Sequence, residues 1–222
     1  MIIGISGYVG NRLTGIGRVL INILSELAKQ YPEDKYVLFR NFDFKEYDNL
    51  TQYQNIEIVD VPYTKESGLK NILWHQWLFQ KLLKKYKCDI AYIPNFTLLL
   101  WKTIPTIVTI HDLIEYNVPD KFSKARMFYR KQVCDPLMAK KSNHILTVSK
   151  SSYKDIISYL GVKPSKLTLT LNATDRNVFK KYSKEKIIPA IKKYNLEYKK
   201  YLLFVGTIDF PGKNIKTITI VR

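Results

Sequence analysis

The sequence predicts an α/β fold, in which helices cover both faces of a mostly parallel, doubly wound sheet. Short apolar segments alternate along the chain with longer segments whose apolar residues recur at helical spacing. Some short segments, such as 104–110, are almost continuously apolar, as in strands that are buried on both faces. The chain also opens with an apolar strand, a glycine-containing turn and an amphipathic helix, a common beginning of nucleotide-binding α/β units.

Each element of this fold follows from a local pattern. Apolar runs bounded by polar or turn residues predict eight strands, at 2–6, 35–40, 55–61, 88–93, 103–110, 143–148, 166–171 and 201–206. Helical periodicity predicts four main helices, at 18–28, 69–87, 122–141 and 150–160. Thr14 and Ser149 are expected to cap the first and last of these helices, and Gly161 to end the last one.

The charge of the chain predicts an acidic partner. Thirty-six Lys and Arg residues against 19 Asp and Glu residues give a net charge of +17, which suits a nucleic acid, an anionic lipid or a phosphorylated substrate. The absence of a recognised nucleic-acid motif argues against the first of these.

The cellular location is predicted from cysteines and apolar segments. Cys88 and Cys134 match no metal or redox spacing and fit a reducing compartment. No signal peptide is visible, and the longest apolar stretch, 91–110, is too interrupted to span a bilayer. We therefore expect a cytoplasmic protein, with peripheral contact at the inner face of the membrane as a further possibility.

Several polar residues follow the predicted strands, at the sheet edge where such folds bind ligands. They are Asn95, His111, Asp112 and Ser149. His111 is a candidate to donate to or accept from a bound substrate, because histidine side chains can do either near neutrality; a histidine satisfied by backbone is the alternative. For Asp112, three roles are open: orienting the imidazole, binding a sugar hydroxyl, or capping the following turn.

The first turn suits an anion, because Gly15 and Gly17 let a bound group approach the N-terminus of a helix. A plain tight turn is the alternative. Its spacing does not fit the dinucleotide pattern G-x-G-x-x-G, which argues against a nicotinamide enzyme. The serine-hydrolase elbow and the phosphate-binding loop of ATPases are also absent, and the three histidines lack metal-ligand spacing. We expect His75 and His144 to be structural.

The predicted helix at 69–87 carries two apolar arcs. The first, which includes Leu69, Leu73, Phe79 and Leu83, is expected to face the sheet. The second joins tryptophans to lysines, as in helices at a membrane surface, and its candidate membrane residues are Trp74, Trp77, Lys81 and Lys85. The alternative is that neighbouring elements bury the tryptophans and that the lysines only solvate the rim.

An ordered set of short motifs then resembles one family. The motifs are Gly15-Ile16-Gly17-Arg18, Thr109 to Ile114, Leu146 to Ser152, Leu160 to Lys166, Asn172 to Asp175, Val205-Gly206-Thr207 and Lys213-Asn214. Together they resemble the N-terminal half of a glycosyltransferase of family 4, which has the GT-B fold. The resemblance implies two Rossmann-like domains, of which the first takes a glycan or lipid-linked acceptor and the second a nucleotide-sugar donor.

The resemblance also implies roles for individual residues in a retaining transfer that needs no metal and no cofactor. Gly15 and Gly17 would approach the donor diphosphate or sugar, and His111 would contact the transferred sugar. Lys213 would neutralise the departing diphosphate, which agrees with the general stabilisation of developing negative charge by fixed cations. Asn95, Asp112 and Ser149 would contact the acceptor or sugar.

The resemblance divides the chain into an acceptor-side Rossmann-like domain at 1–180, a linker at 181–199 and an incomplete donor domain at 200–222. The paired glutamates that the family carries further on are absent, so we expect weak or no transfer by these 222 residues alone. The expected function is sugar transfer in cell-surface polysaccharide synthesis. The alternative is a catalytically inactive module that binds an acceptor or an anionic membrane.

Overall fold

A single parallel sheet forms the centre of the first part of the chain. The structure, a computed structural model, describes residues 1–8, 13–61, 68–174, 179–206 and Lys213. The chain divides into two compact units, Met1–Asn172 and Ala173–Arg222. The first unit contains seven strands in the order β3-β2-β1-β4-β5-β6-β7, with every neighbouring pair parallel. They are β1 (Ile2–Gly7), β2 (Lys35–Arg40), β3 (Ile56–Asp60), β4 (Ile90–Ile93), β5 (Thr106–Thr109), β6 (His144–Thr147) and β7 (Leu167–Leu169).

Helices connect these strands. They are α1 (Gly15–Gln30), α2 (Gly68–Leu73), α3 (Phe79–Lys85), α4 (Ile114–Asn117), α5 (Lys124–Phe128), α6 (Asp135–Lys141) and α7 (Lys150–Leu160). Two segments of π-helix, Trp74–Leu78 and Tyr129–Cys134, join α2 to α3 and α5 to α6. Short 3₁₀ turns lie at Lys45–Leu50 and Pro164–Lys166.

Both faces of the sheet are covered, as the apolar strands predict. Along β2, Val37 and Phe39 belong to one hydrophobic cluster, whereas Tyr36 and Leu38 belong to the other. Because successive side chains of a strand point to opposite faces, the two clusters lie on opposite sides of the sheet. The predicted fold class, a Rossmann-like parallel sheet wound on both faces, is confirmed.

The strand order reverses between β1 and β4. From β1 the chain adds β2 and β3 on one side, and it then crosses to β4 and continues through β7 on the other side. In such sheets the loops after the two central strands separate and leave a crevice at their carboxyl ends. The loops after Gly7 and Ile93 are therefore the walls of the expected ligand crevice.

The face predicted for the helix at 69–87 is wrong in its first half. Leu69 and Leu73 are 66% and 41% exposed, whereas Phe79 and Leu83 are buried as expected. The π-helical segment explains this difference, because a wider turn rotates the residues after it relative to those before it. The same segment places Trp74 in the core with no exposed surface, so the membrane role proposed for Trp74 is also wrong.

The caps of α7 agree with the sequence. Ser149 precedes the helix and its Oγ accepts a hydrogen bond from the backbone N–H of Ser152, and Gly161 ends the helix with φ of 63°. Thr14 precedes α1 in extended conformation, but its side chain makes no capping hydrogen bond to the described residues.

The described residues of the second unit contain one helix, α8 (Lys184–Lys192). The buried strand predicted at 201–206 is wrong: these residues are irregular, and Leu202, Leu203 and Val205 are 89%, 74% and 84% exposed. A buried strand needs paired neighbours and covering helices, which the described residues of this unit do not provide.

Candidate functional site

Hydrogen bonds join the loops that follow three strands of the sheet. After β4, the side-chain Nδ2 of Asn95 donates to the carbonyl oxygen of Tyr8, which follows β1, at 2.6 Å. After β5, His111 Nε2 contacts the carbonyl oxygen of Pro94 at 2.9 Å. The loops after β1, β4 and β5 therefore form one connected edge, as the sequence predicts for the carboxyl ends of parallel strands.

The ring of His111 has a defined hydrogen-bonding role. A carbonyl oxygen can only accept, so Nε2 carries the proton that it donates to Pro94. In the neutral ring this leaves Nδ1 as an acceptor, and it makes no hydrogen bond to the described residues. The half-buried imidazole can thus accept a hydroxyl hydrogen from a bound group at this edge.

Ser149 acts on the same edge through its neighbour. Ser152 Oγ donates its single proton to the carbonyl oxygen of His111 at 2.8 Å. The contact of 2.8 Å between the two serine hydroxyls must therefore use the proton of Ser149. The hydroxyl of Ser149 is occupied as donor and as cap, and it connects α7 to the strand end that carries His111.

Asp112 caps a turn. Its Oδ1 accepts from the backbone N–H of Ile114 at 3.3 Å, which is the third of the roles left open by the sequence. Its carboxylate makes no hydrogen bond to the imidazole of His111 within the described residues. The side chain is exposed and its other oxygen is accessible to a ligand.

Asn95 has an acceptor that the protein does not use. Its Oδ1 is buried and lacks a hydrogen-bond partner among the described residues. An unsatisfied buried carbonyl costs roughly 1–3 kcal/mol, so a donor from a bound molecule would recover free energy there.

The glycine turn reaches this edge through its neighbour Ile16. A side chain at Gly15 would meet no atom within 4 Å, so the space beside it is open. Gly17 is buried, and a Cβ there would lie 2.4 Å from Leu13 Cδ1, which gives this glycine a packing reason of its own. Residues 9–12 of the turn lie outside the described residues.

A hollow of about 630 Å³ opens beside these loops. Its wall on the sheet side includes Tyr8, Ile16 and Asn95, and it continues along Phe96 to Leu98. Residues of α2 and of the segment Arg126 to Arg130 complete it. Of the predicted site residues, Asn95 alone lines the hollow, whereas His111, Asp112, Ser149 and the two glycines lie outside its lining.

The first wall, which carries α2 and the π-helical segment after it, is held by a neutral network. His75 Nδ1 donates to the carbonyl oxygen of Asn71, so its Nε2 accepts from Ser6 Oγ, each at 2.9 Å. Trp74 Nε1 donates to the same Ser6 hydroxyl at 3.3 Å. Complete burial lowers the pKa of His75 from its ordinary value of 6.5 to about 4, so the ring is uncharged at neutral pH.

The opposite wall is held by charges. Arg130 Nε lies 3.2 Å from Glu115 Oε1, whose side chain has no exposed surface, and the guanidinium lies 3.8 Å from the centre of the Phe96 ring. Asp135 is buried beside this pair. Burial first, and the neighbouring Glu115 carboxyl second, raise the pKa of Asp135 to about 9. One of the two carboxyls is thus protonated at neutral pH, and the cluster is electrically neutral.

Sequence reasoning missed most residues of the hollow. Arg126, Tyr129 and Arg130 line it. The two arginines belong to the basic residues that recur along the helix predicted at 122–141, and these were the available signal in the sequence. Glu115 follows the His111-Asp112 motif directly, but nothing in its spacing indicates that an arginine lies beside it.

Lys213 is exposed in the second unit, and its neighbours at 207–212 and 214–222 lie outside the described residues. No helix within the described ranges is long and apolar enough to cross a bilayer.

Comparison with known proteins identifies relatives of this chain. Residues 13–178 match the sequence profile of Glycosyltransferase Family 4. The O-antigen chain mannosyltransferase B of Escherichia coli is 28% identical over 217 residues, which cover 92% of this chain and 55% of that protein.

Two solved structures share the fold. WaaG, a glycosyltransferase involved in lipopolysaccharide biosynthesis, matches with a TM-score of 0.61 and 12% identity over 88% of this chain and 52% of its own. Alr3699/HepE of Anabaena, solved with UDP and glucose, matches with a TM-score of 0.56 and 15% identity over 88% and 50%. The chain therefore spans about half the length of these relatives.

Proposed function

Because the chain belongs to Glycosyltransferase Family 4, we propose that its protein transfers a sugar from a nucleotide-sugar donor to a glycan or lipid-linked acceptor. Two of the relatives named above, the O-antigen chain mannosyltransferase B and WaaG, carry O-antigen and lipopolysaccharide synthesis in their descriptions, which supports cell-surface polysaccharide as the product. The donor class is supported by the UDP and glucose bound to the Anabaena protein. The two buried free cysteines fit action in the cytoplasm, where thiols stay reduced.

The observation that carries this proposal is the hollow beside the connected strand ends, in a chain of this family. Its lining combines tyrosine and phenylalanine rings with arginine and asparagine side chains. Rings supply apolar contact to the faces of a sugar, and the polar groups exchange hydrogen bonds with its hydroxyls. We assign this hollow to the acceptor, with Asn95 Oδ1 as a hydrogen-bond acceptor for one of its hydroxyls.

The adjoining strand edge is assigned to the transferred sugar. We assign His111 Nδ1 as an acceptor for a sugar hydroxyl, and the exposed carboxylate of Asp112 offers a second one. The open space at Gly15 and the N–H groups that begin α1 suit the donor diphosphate. In this proposal the transfer retains the configuration at the sugar and needs no metal, and Lys213 balances the charge of the leaving diphosphate.

A transfer assay tests the proposal. The full-length protein that carries this chain is incubated with labelled GDP-mannose, UDP-glucose or UDP-galactose and with a membrane extract that contains lipid-linked glycans. We expect one donor to label the glycan fraction, and His111→Ala to lower kcat about tenfold through the loss of one hydrogen bond to the transferred sugar.

His144→Ala is the matched control, because His144 begins β6 at the opposite edge of the sheet, where its Nε2 contacts Thr168 Oγ1. Its kcat should equal that of the wild type. Failure of every donor, with acceptor binding retained, would overturn the proposal in favour of an inactive binding module.

A further inference from the structure

Five large apolar side chains form an exposed surface next to the hollow. We call it the tryptophan surface, and its residues are Leu69, Leu73, Trp77, Leu100 and Trp101. Trp77 is 59% exposed and Trp101 is 42% exposed, and their rings meet edge to face with centres 6.2 Å apart. Large contiguous apolar patches on a protein surface mark sites of interaction.

Two segments of the chain build this surface. Leu69, Leu73 and Trp77 follow one another at four-residue intervals, which places them along one side of a helix. Leu100 and Trp101 come from the loop after β4. The tryptophan surface therefore depends on the docking of this loop against the helix.

A buried glutamine fixes that loop. The side-chain Oε1 of Gln76 accepts from the backbone N–H groups of Leu100 and Trp101, at 2.9 and 3.2 Å. Its Nε2 donates to the carbonyl oxygen of Leu98 at 2.9 Å. The fold thus uses three hydrogen bonds of one buried amide to hold two apolar side chains in water, an arrangement that is useful when a partner covers them.

The charges around the tryptophan surface favour an anionic partner. Neither of the two segments that build it, 68–88 and 94–105, contains an acidic residue. Lys81 follows Trp77 by one helical turn, and Lys84 and Lys85 follow by two, all three exposed. Indole rings flanked by lysines suit the headgroup region of a bilayer, where the ring is buried among lipids and the amines contact anionic phosphates.

We propose that the tryptophan surface docks onto an anionic lipid bilayer, with Trp77 and Trp101 inserted at headgroup depth. This corrects the membrane surface predicted from the sequence: Trp74 is replaced by Trp101, while Trp77, Lys81 and Lys85 remain. Gly68, Asn71 and Ile72 of the same helix line the hollow. Docking would therefore bring the hollow within about one helix diameter, roughly 10 Å, of the lipid headgroups.

Vesicle sedimentation tests this inference without reference to catalysis. The protein is mixed with vesicles of phosphatidylglycerol and phosphatidylcholine, or of phosphatidylcholine alone. We expect binding to the anionic vesicles that weakens as salt rises, and a partition coefficient at least about tenfold lower for Trp77→Ala/Trp101→Ala. Tyr31→Ala, which removes an exposed aromatic ring of the first unit that is not part of this surface, should bind like the wild type.

Fluorescence gives a second measurement. Brominated lipids should quench the wild-type tryptophan emission, but not that of Trp77→Phe/Trp101→Phe, in which the buried Trp74 is the remaining tryptophan. Equal vesicle binding by a folded Trp77→Ala/Trp101→Ala variant would overturn the proposal. So would a wild-type dimer in solution that this double variant abolishes, because a second copy of the chain would then cover the surface.

Discussion

The two helical walls of the hollow both contain a π-helical segment, but one is held by neutral hydrogen bonds and the other by charged side chains. Each wall is interrupted by a π-helical segment, Trp74–Leu78 in one and Tyr129–Cys134 in the other. The first is anchored to β1 by the neutral network of Ser6 and His75, and the second is held against α4 by the ion pair of Arg130 and Glu115. A π-helical segment is thus compatible with either kind of polar interaction. The contribution of each wall to the free energy of unfolding should therefore depend differently on mutation and on pH.

The neutral wall should lose stability in acid. Because burial lowers the pKa of His75 to about 4, the unfolded chain binds a proton more readily than the folded protein between pH 6.5 and 4. The contribution of His75 is complete above about pH 6.5 and is lost as the pH falls toward 4.

The charged wall should behave in the opposite way. The pKa of Asp135 rises from its ordinary value of 3.8 to about 9, so the folded protein holds a proton that the unfolded chain releases. This contribution is complete below about pH 3.8 and is lost as the pH rises toward 9.

The largest expected effect separates two tryptophans that lie three positions apart. Trp74→Ala should lower the free energy of unfolding by about 3–5 kcal/mol, because it empties a fully buried site and removes one of the two hydrogen bonds that Ser6 Oγ accepts. Trp77→Ala should change it by less than about 0.5 kcal/mol. Urea denaturation measures both, and equal losses would contradict the assignment of Trp74 to the core.

Removing one partner from the charged wall should cost nearly as much. Glu115→Ala removes the buried carboxylate that pairs with the largely buried guanidinium of Arg130, and we expect a loss of about 3 kcal/mol in the free energy of unfolding. The double variant Glu115→Leu/Arg130→Met should recover most of that loss, since it removes both charges. A double variant as unstable as the single one would mean that packing, rather than charge, holds this wall.

The pH profile provides the next comparison. Asp135→Asn should be more stable than the wild type at pH 8–9, with a difference that shrinks by at most ~1.4 kcal/mol per pH unit as the pH falls. The loss of stability that His75 causes between pH 6.5 and 4 should remain in this variant and should disappear in His75→Gln. Parallel stability curves for wild type and Asp135→Asn would show that Asp135 is ionised in the folded protein.

Local patterns predicted the seven strands of the sheet because buried parallel strands are short apolar runs. The same rule failed at 201–206, an apolar run with no strand beside it among the described residues. The N-cap at Ser149 and the helix end at Gly161 were also predictable from the sequence. One side-chain hydrogen bond determines the first, and one positive φ angle determines the second. The buried face of the helix at 69–87 was not predictable, because a helical wheel assumes 100° per residue throughout and a π-helical segment departs from that angle.

The candidate site was predictable in its position and only partly in its residues. Asn95 and His111 follow strands and were found by that rule. Arg126 belongs to the run of basic residues in the helix predicted at 122–141, but no spacing in the sequence indicated that this helix lines the hollow. Trp101 meets Trp77 only through tertiary packing, which no local pattern indicated.

The central claim, that the hollow between these walls holds the acceptor, is tested most directly by comparing two cations of α5. Arg126 lines the hollow and contacts the Phe122 ring, whereas Lys124, two positions earlier, is exposed and lies outside the lining. With the full-length protein, the account predicts that Arg126→Ala raises the acceptor KM about tenfold, which corresponds to about 1.4 kcal/mol, while Lys124→Ala leaves it unchanged. Equal acceptor KM values for the two variants, or an effect on the donor KM alone, would contradict it.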